Sequence, residues 1–249
     1  MKKTVLITGA SRGIGAAIAQ EFAKAGYNIV INYLNSQECE EILKRTILEK
    51  YDVDVLTVKV DVSDEGQVKE MVKEVIDTFG SVDILVNNAG ISIDTLVEDK
   101  KIEDFERILK VNLVGPFICA RECAKVMKDG SSIINISSEN AIDKYYPCGL
   151  DYDASKAGLL SLTKNLAVEY SPRIRVNAIA PGWVNTEMNK NLDKEYIEEE
   201  CKKILLDRFA EPKEIASVAV FLASDKASYI NGSIIRVDGG HWFEYRRIN

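Results

Sequence analysis

The chain of 249 residues is 46% hydrophobic and 29% charged, the balance of an ordinary globular protein, and its length suits a single α/β domain over residues 1–249. A net charge of −7 excludes nucleic acid and anionic membrane surfaces as partners, because both attract basic proteins. No apolar run reaches the roughly 20 residues that cross a bilayer.

The numbers of cysteines and histidines bear on disulfides and on metal binding. The five cysteines are odd in number and lack paired short spacings, which predicts a cytoplasmic protein without disulfides. Cys119 and Cys123 share a helical face, and we expect them to be small core residues. Since His241 is the only histidine, the sequence predicts no metal site.

Strand-like and helical segments alternate along the whole chain, which predicts an α/β fold with a doubly wound, Rossmann-like parallel sheet. Several strands are continuous aliphatic runs, as expected where helices cover both faces. The predicted strands are Thr4–Thr8, Asn28–Tyr33, Val53–Val60, Ile84–Asn87, Ser132–Ser137, Arg173–Ile179 and Ser233–Val237. The predicted helices are Ile14–Ala25, Gln37–Lys50, Glu65–Phe79, Ile102–Met127, Tyr152–Tyr170 and Lys213–Leu222.

The segment from about Thr186 to Asp207 interrupts this alternation. It is highly charged, has helical propensity, and follows Pro181-Gly182 at the end of a predicted strand. A doubly wound fold binds its ligand beyond the carboxyl ends of its strands. We therefore expect this segment to be a lid over the ligand; the alternative is a solvated surface helix.

A glycine-rich turn connects the first strand to the first helix. The context is that of a dinucleotide-binding turn, although the spacing is Gly-x-x-x-Gly-x-Gly. Helix amides and the helix dipole would bind a pyrophosphate there; the alternative is a tight turn without a ligand. The candidate residues of the turn are Gly9, Ser11, Arg12, Gly13, Ile14 and Gly15.

The residues after the second strand favour NADP(H) over NAD(H). Enzymes that bind NAD place an acid at the end of this strand to hold the ribose, but here Asn32 and Tyr33 are followed by no carboxylate until Glu38. Arg12 supplies a cation that can pair with a 2′-phosphate. We include Asn32 and Tyr33 among the candidate cofactor-binding residues.

Tyr152 and Lys156 lie one turn apart on a predicted helix. Tyrosine titrates near pH ~10, too high for efficient proton transfer at neutrality. A cation about 4 Å away contributes on the order of 4 kcal/mol at a dielectric of 20, which is roughly three pKa units. Lys156 is thus expected to lower the pKa of Tyr152, although a Tyr-x-x-x-Lys pair also occurs by chance on surfaces.

The motifs taken together resemble the short-chain dehydrogenase/reductase family over nearly the whole chain. The resemblance implies a seven-stranded parallel sheet and a homotetramer or homodimer built on the two long central helices. The matching motifs, in the order of the family, are Thr8–Gly15, Asp61-Val62, Asn87–Gly90, Asn112, Ile136–Ser138, Tyr152–Lys156 and Pro181-Gly182 with Thr186.

The resemblance implies roles for four catalytic residues. Tyr152 would be the general acid in reduction and the base in oxidation, and Ser138 would stabilise the substrate oxygen. Lys156 would lower the pKa of Tyr152 and bind the nicotinamide ribose. Asn112 would anchor a water that links Lys156 to solvent. For Ser138 and Asn112 there are plainer alternatives, a strand end and an internal polar residue of a helix.

The resemblance also extends the cofactor-binding residues beyond the glycine turn and implies hydride transfer between the nicotinamide and a carbonyl or alcohol. Asp61 and Val62 would contact the adenine. Asn88, Ala89 and Gly90 would pass close to the adenosine ribose. The residues that would surround the nicotinamide and a phosphate are Pro181, Gly182, Val184 and Thr186.

The nearest resemblance within the family is to 3-oxoacyl-(acyl-carrier-protein) reductases. The segment Glu139–Asp151 is bulkier and more acidic than the glycine-rich loop of those enzymes, which keeps a sugar or polyol dehydrogenase as an alternative. A non-catalytic NADP(H)-sensing protein is a further alternative, since a fold does not fix a function. For the aromatic tail from His241 to Arg247 we favour packing in a subunit interface over the edge of the pocket.

Overall fold

A computed structural model describes residues 2–190 and 192–241. The described strands form one parallel sheet with the order β3-β2-β1-β4-β5-β6-β7, which confirms the predicted seven-stranded, doubly wound architecture. The strands are β1 Thr4–Ile7, β2 Asn28–Tyr33, β3 Val55–Lys59, β4 Ile84–Asn87, β5 Ser131–Ile136, β6 Ile174–Pro181 and β7 Ile234–Val237.

Helices cover both faces of the sheet. They are α1 Gly13–Lys24, α2 Gln37–Lys50, α3 Glu65–Phe79, α4 Ile102–Leu109, α5 Gly115–Ala124, α6 Leu150–Tyr170, α7 Lys194–Lys203 and α8 Pro212–Ala223. Within β1, Val5 and Ile7 join the core formed with α1, α2 and α8, and Leu6 joins the core formed with α3, α5 and α6. This alternation explains why the strands are apolar at successive positions. Cys119 and Cys123 are fully buried in the second core, as predicted.

The order of the strands reverses beside β1, which pairs with β2 on one side and with β4 on the other. In doubly wound sheets this reversal opens a crevice outside the carboxyl ends of the strands. The extra helix expected between residues 186 and 207 is present as α7. Of the aromatic tail, only His241 belongs to the described residues.

The single helix predicted over 102–127 is wrong, because a π-helical turn at Lys110–Val114 separates α4 from α5. Pro116 has no N–H to donate to the carbonyl of Asn112, four residues earlier, so a regular α-helix cannot continue through this point. The helix also ends at Ala124 instead of Met127. The Arg173 guanidinium donates to the carbonyl oxygens of Met127, at 2.6 Å, and Ala124, at 3.0 Å.

A buried ion pair fixes the start of α6, which begins at Leu150, before the predicted Tyr152. The Lys100 Nζ donates to Asp151 Oδ1 at 3.0 Å, and the two side chains are 5% and 0% exposed. Asp151 Oδ1 also accepts from the backbone N–H of Tyr152 at 3.0 Å. The pair therefore attaches the first turn of α6 to the segment after β4.

We expect Asp151→Asn to reduce the free energy of unfolding by about 3 kcal/mol, because it leaves the Lys100 ammonium buried without an opposite charge. Urea denaturation measures this change. The control is Asp52→Asn, which removes the exposed ion pair with Lys2 and should change stability little. Equal, small losses in both variants would show that the buried pair does not hold α6.

Candidate active site

The glycine turn lies between β1 and α1, at the carboxyl edge of the sheet. Gly9 and Gly13 have φ values of +61° and +57°, which residues with a Cβ rarely adopt. A Cβ on Gly9 would lie 2.8 Å from the Cα of Ala89. Glycine is therefore required here both by the backbone conformation and by the approach of the loop that follows β4.

Asn88, in the loop that follows β4, is hydrogen-bonded to the glycine turn. Its side-chain amide donates to the carbonyl oxygens of Thr8 and Gly9, both at 3.0 Å. The Thr8 hydroxyl accepts from the backbone N–H groups of Asn88 and Ala89, also at 3.0 Å. The structure thus brings the predicted 88–90 segment against the glycine turn and gives Asn88 a structural role in it.

Asn32 supports the turn from β2. The side chain is 1% exposed; its Oδ1 accepts from the Gly9 N–H at 3.2 Å, and its Nδ2 donates to the Val60 carbonyl at 2.9 Å. Its own carbonyl accepts from the Ala10 N–H at 2.9 Å. Asn32 is therefore engaged in holding the turn, whereas Tyr33 is half-buried at the end of the strand.

The first turn of α1 is suited to an anion. No acidic residue lies in it, and no side chain caps its backbone N–H groups, which are the unpaired donors of a helix start. Arg12, immediately before the helix, is exposed. Of the other predicted residues of the turn, Ser11 and Gly15 are buried and Ile14 is half-buried.

Asp61 and Val62 follow β3 on the same edge of the sheet. Asp61 Oδ1 accepts from the N–H and the hydroxyl of Ser63, at 2.9 and 2.7 Å. Val62 is buried, and a Cβ on Gly115 would lie 3.0 Å from its Cγ2. These contacts orient Asp61 and allow the start of α5 to approach the loop closely.

The loop after β6 approaches the glycine turn from the other side of the crevice. Pro181 is the last residue of β6, Gly182 follows it, and Val184 is buried. A Cβ on Gly13 would lie 3.5 Å from Cγ2 of Thr186. The structure therefore brings the predicted 181–186 segment and the predicted turn together.

Ser138, Tyr152 and Lys156 converge where β5 ends and α6 begins. Lys156 is 4% exposed; its Nζ donates to the carbonyl of Ile136 at 2.9 Å and lies 5.6 Å from the centroid of the Tyr152 ring. The Ser138 side chain is hydrogen-bonded to that of Tyr152. A hydroxyl, a phenol and an ammonium group thus border one space.

Asn112 lies in the π-helical turn, next to this group. Its Oδ1 accepts from the Ile91 N–H and its Nδ2 donates to the Ile91 carbonyl, both at 2.9 Å. A Cβ on Gly90 would lie 3.4 Å from both Asn112 Oδ1 and Lys156 Nζ. All four predicted catalytic residues are therefore neighbours, with Gly90 filling the gap between two of them.

The electrostatics of Tyr152 differ from the expectation. Burial raises the pKa of Tyr152 to about 12, and the opposing contribution comes from the hydrogen bond with Ser138, not from Lys156. Burial also lowers the pKa of Lys156 to about 8. The predicted lowering of the Tyr152 pKa by Lys156 is absent in this arrangement, because loss of hydration outweighs a cation that is hydrogen-bonded to a carbonyl.

The polar residues that hold the loop after Ser138 were missed. Asp153 accepts from the Asn140 amide at 2.8 Å and from the Tyr146 N–H at 3.2 Å. The Arg236 guanidinium donates to both carboxylate oxygens of Asp143, at 2.8 and 3.0 Å, and this holds the pKa of Asp143 below its usual value. The acidic composition was visible in the sequence, but no local spacing identified the partners.

Two features are absent from the described ranges, 2–190 and 192–241. In them, no group of three or more His, Cys, Asp and Glu side chains could hold a metal ion. No helix of these ranges is long and apolar enough to span a bilayer.

The sequence is similar to known proteins over nearly its whole length. Residues 9–241 match a family model described as enoyl-(acyl carrier protein) reductase. The chain is 42% identical to the 3-oxoacyl-(acyl-carrier-protein) reductase of Staphylococcus aureus strain Mu50 over 96% of this chain and 98% of the relative.

Solved structures superimpose closely as well. A short-chain dehydrogenase/reductase from Serratia marcescens gives a TM-score of 0.92 at 34% identity, covering 96% of this chain and 97% of its own. A short-chain dehydrogenase from Burkholderia cenocepacia in complex with NADP gives 0.92 at 30% identity, with coverage of 96% and 97%. The family model, the relatives and the shared fold show that the chain belongs to the short-chain dehydrogenase/reductase family of oxidoreductases.

Proposed function

We propose that the chain is an NADP(H)-dependent oxidoreductase that interconverts a carbonyl and an alcohol, with 3-oxoacyl thioesters as its substrate class. The observation that carries this proposal is the convergence of Ser138, Tyr152 and Lys156 beside the glycine turn. The bound cofactor supplies or accepts the hydride. The protein contributes binding, orientation and the proton.

The residues around the crevice fit a phosphorylated dinucleotide. Positive φ at Gly9 and Gly13, with an uncapped helix start and no acid in its first turn, suits a pyrophosphate. Arg12 has no ion-pair partner among the described residues, and no carboxylate follows β2 until Glu38. This combination favours the 2′-phosphate of NADP(H), and the NADP complex of the Burkholderia relative supports it.

The other cofactor-binding residues remain part of the proposal. Tyr33, Asp61, Val62 and the 88–90 and 181–186 segments all lie on the carboxyl edge of the sheet. We assign Asn32 a positioning role instead, since its side chain already bonds to Gly9 and Val60.

Tyr152 is suited to donate a proton to the carbonyl oxygen during reduction. With a pKa of about 12, the phenol keeps its proton at neutral pH. The Ser138 hydroxyl is placed to hydrogen-bond the same substrate oxygen, and the Lys156 ammonium would stabilise the phenolate that forms. In oxidation the same groups act in reverse, and Asn112 would anchor a water that links Lys156 to solvent.

The choice of substrate rests on the relatives and on the wall of the site. The 42% identity to a 3-oxoacyl-(acyl-carrier-protein) reductase supports a thioester. The exposed Asp94 carboxylate lies close enough to Tyr152 to raise its pKa, which favours the second candidate, a sugar or polyol, because carboxylates accept hydrogen bonds from hydroxyl groups. A panel of acetoacetyl thioesters, ketoses and aldoses distinguishes the two candidates.

A cytoplasmic homodimer or homotetramer belongs to the same proposal. The 102–124 segment and α6 carry exposed apolar side chains, including Phe117 at 39% and Val168 at 80% exposure. Such groups are typical of surfaces that a second copy covers.

Tyr152→Phe should lower kcat for carbonyl reduction by about 100-fold or more while NADPH binding is retained, because the proton donor is lost. Loss of NADPH absorbance measures the rate, and fluorescence titration measures binding. Tyr145→Phe, which removes the phenol of a side chain that is 88% exposed, is the control. Unchanged activity in Tyr152→Phe would exclude Tyr152 as the acid; tight NADPH binding without turnover of any carbonyl by the wild type would favour a sensing protein.

For carbonyl reduction we expect kcat/KM to fall above about pH 8, where Lys156 loses its charge. Tyr152, with a pKa of about 12, still carries its proton there, so the fall reports the cation and not the acid. Lys156→Arg keeps the charge to a much higher pH and should move the fall upward in the activity that remains. The same profile in both enzymes would assign the titration to another group.

Arg12→Ala should weaken NADPH binding by about ten-fold or more, because a charge-assisted contact to the 2′-phosphate is lost. NADH binding should change much less. Dissociation constants for both nucleotides measure the difference, with Arg107→Ala, at an exposed arginine of α4, as the control for the loss of one positive charge. Equal weakening of both nucleotides would contradict the assignment.

A further inference from the structure

Four side chains from distant parts of the chain form a buried polar cluster beside the active site, which we call the histidine bridge: Glu139, Trp183, Glu200 and His241. They follow β5, follow β6, lie in α7 and follow β7, respectively. The three ionisable members are 3%, 7% and 6% exposed. Groups of this kind are almost never buried unless they are paired.

His241 is the centre of the bridge. Its Nδ1 lies 2.7 Å from Glu139 Oε1 and its Nε2 lies 3.6 Å from Glu200 Oε2. A carboxylate only accepts hydrogen bonds, so Nδ1 donates to Glu139. Trp183 Nε1 donates to the same Glu200 oxygen at 3.2 Å, and Lys203 Nζ donates to the other oxygen, Oε1, at 2.5 Å. The Glu200 carboxylate is thus held by three side chains.

Glu139 depends on this contact. Its second oxygen, Oε2, is buried and has no hydrogen-bond partner in the described part of the chain. The bond from His241 is the one that its carboxylate receives there. Since a buried charge without a partner is costly, the loss of His241 would force Glu139 or its surroundings to move.

The bridge adjoins the reacting groups. Glu139 directly follows Ser138 in the chain, and a Cβ on Gly182 would lie 3.3 Å from Glu139 Oε1. A displacement of Glu139 would therefore be felt both at Ser138 and at the end of β6.

The bridge also determines where α7 lies. Tyr196, one turn before Glu200 on α7, packs edge-on against Trp183 with 6.0 Å between ring centroids. The Asp94 carboxylate is near enough to both Tyr152 and Tyr196 to raise the pKa of each. Trp183 follows Gly182, and His241 contacts the residue after Ser138, so this face of α7 is attached to the two loops that follow β5 and β6.

We propose that His241 is a positioning residue that holds α7 against the mouth of the active site by linking Glu200 to Glu139. This inference rests on the proposed function, because it concerns how that site retains its substrate. It gives the lid expected between residues 186 and 207 a specific attachment. Loss of the attachment should weaken substrate binding and leave the proton transfer of Tyr152 nearly intact.

The test uses the full-length chain and two readouts, limited trypsin cleavage at Lys194 and Lys202, and steady-state kinetics with acetoacetyl-coenzyme A or whichever carbonyl the panel identifies. Glu200→Gln keeps an acceptor for Trp183 but removes the charge that faces His241. It also removes the ion pair with Lys203, so cleavage at Lys203 is not scored. His241→Phe removes both links. The control is Glu199→Gln, at an exposed neighbour on the same helix.

We expect Glu200→Gln and His241→Phe to raise the rate of cleavage within α7 and the KM for the carbonyl by about ten-fold, because the buried contact between the His241 ring and the Glu200 carboxylate is lost. In Glu200→Gln, which leaves the bond from His241 to Glu139 in place, the kcat value and NADPH binding should stay near those of the wild type. His241→Asn, which retains a donor near the position of Nδ1, should recover part of the kcat/KM lost in His241→Phe.

Wild-type cleavage and KM in Glu200→Gln would overturn the proposal, even if His241→Phe failed to fold. Cleavage that increases equally over the whole chain, or a fall in kcat alone, would also overturn it by showing a general structural role. The cleavage readout needs no turnover, so a wild type without activity would refute the proposed function and still leave the attachment of α7 open to measurement.

Discussion

The seven described strands all run parallel to their neighbours. Each crossover returns through a helix, so every described strand delivers the residues that follow it to one edge of the sheet. Because helices bury both faces, polar chemistry is confined to that edge. The turn after β1, the loops after β4 and β6, and Ser138 after β5 meet there although they are far apart in sequence. The topology of the sheet therefore brings the candidate catalytic residues to one place, and side-chain contacts then fix their positions.

Close approach of backbones then determines how tightly these loops assemble. Ala89 packs so closely against Gly9 that no Cβ would fit there. Asp238 packs against Gly182 in the same way, because a Cβ on Gly182 would lie 2.9 Å from the Asp238 Cα. Side-chain amides complete the assembly: Asn32 and Asn88 both bond to Gly9 from neighbouring strands. Asn32 and Asn88 are among the predicted cofactor-binding residues, but their side chains bond to the turn itself.

Local patterns in the sequence were enough to predict the sheet and part of the candidate site. Alternating apolar runs predicted the sheet, and the spacing of Tyr152 and Lys156 predicted their shared helical face. What the patterns missed depends on partners distant in sequence. Lys100 meets Asp151 over a separation of 51 residues and His241 meets Glu139 over 102, and neither pair has a local signature. The pKa of Tyr152 was misjudged for a related reason: spacing gives a distance to Lys156, whereas hydration depends on everything packed around the phenol.

The order of the strands also bears on how the protein is made. From β2 onward, each strand pairs with one that precedes it in the chain, so the sheet can extend outward from β1 in the order in which a ribosome releases it, as domains tend to form during synthesis. His241 joins the structure later than the residues that it contacts. It follows β7 yet contacts the residue after Ser138, so a nascent chain carries Ser138, Tyr152 and Lys156 well before the surroundings of these candidate catalytic residues are complete. Enzymatic competence would then arrive as a late event of translation, after most of the fold already exists.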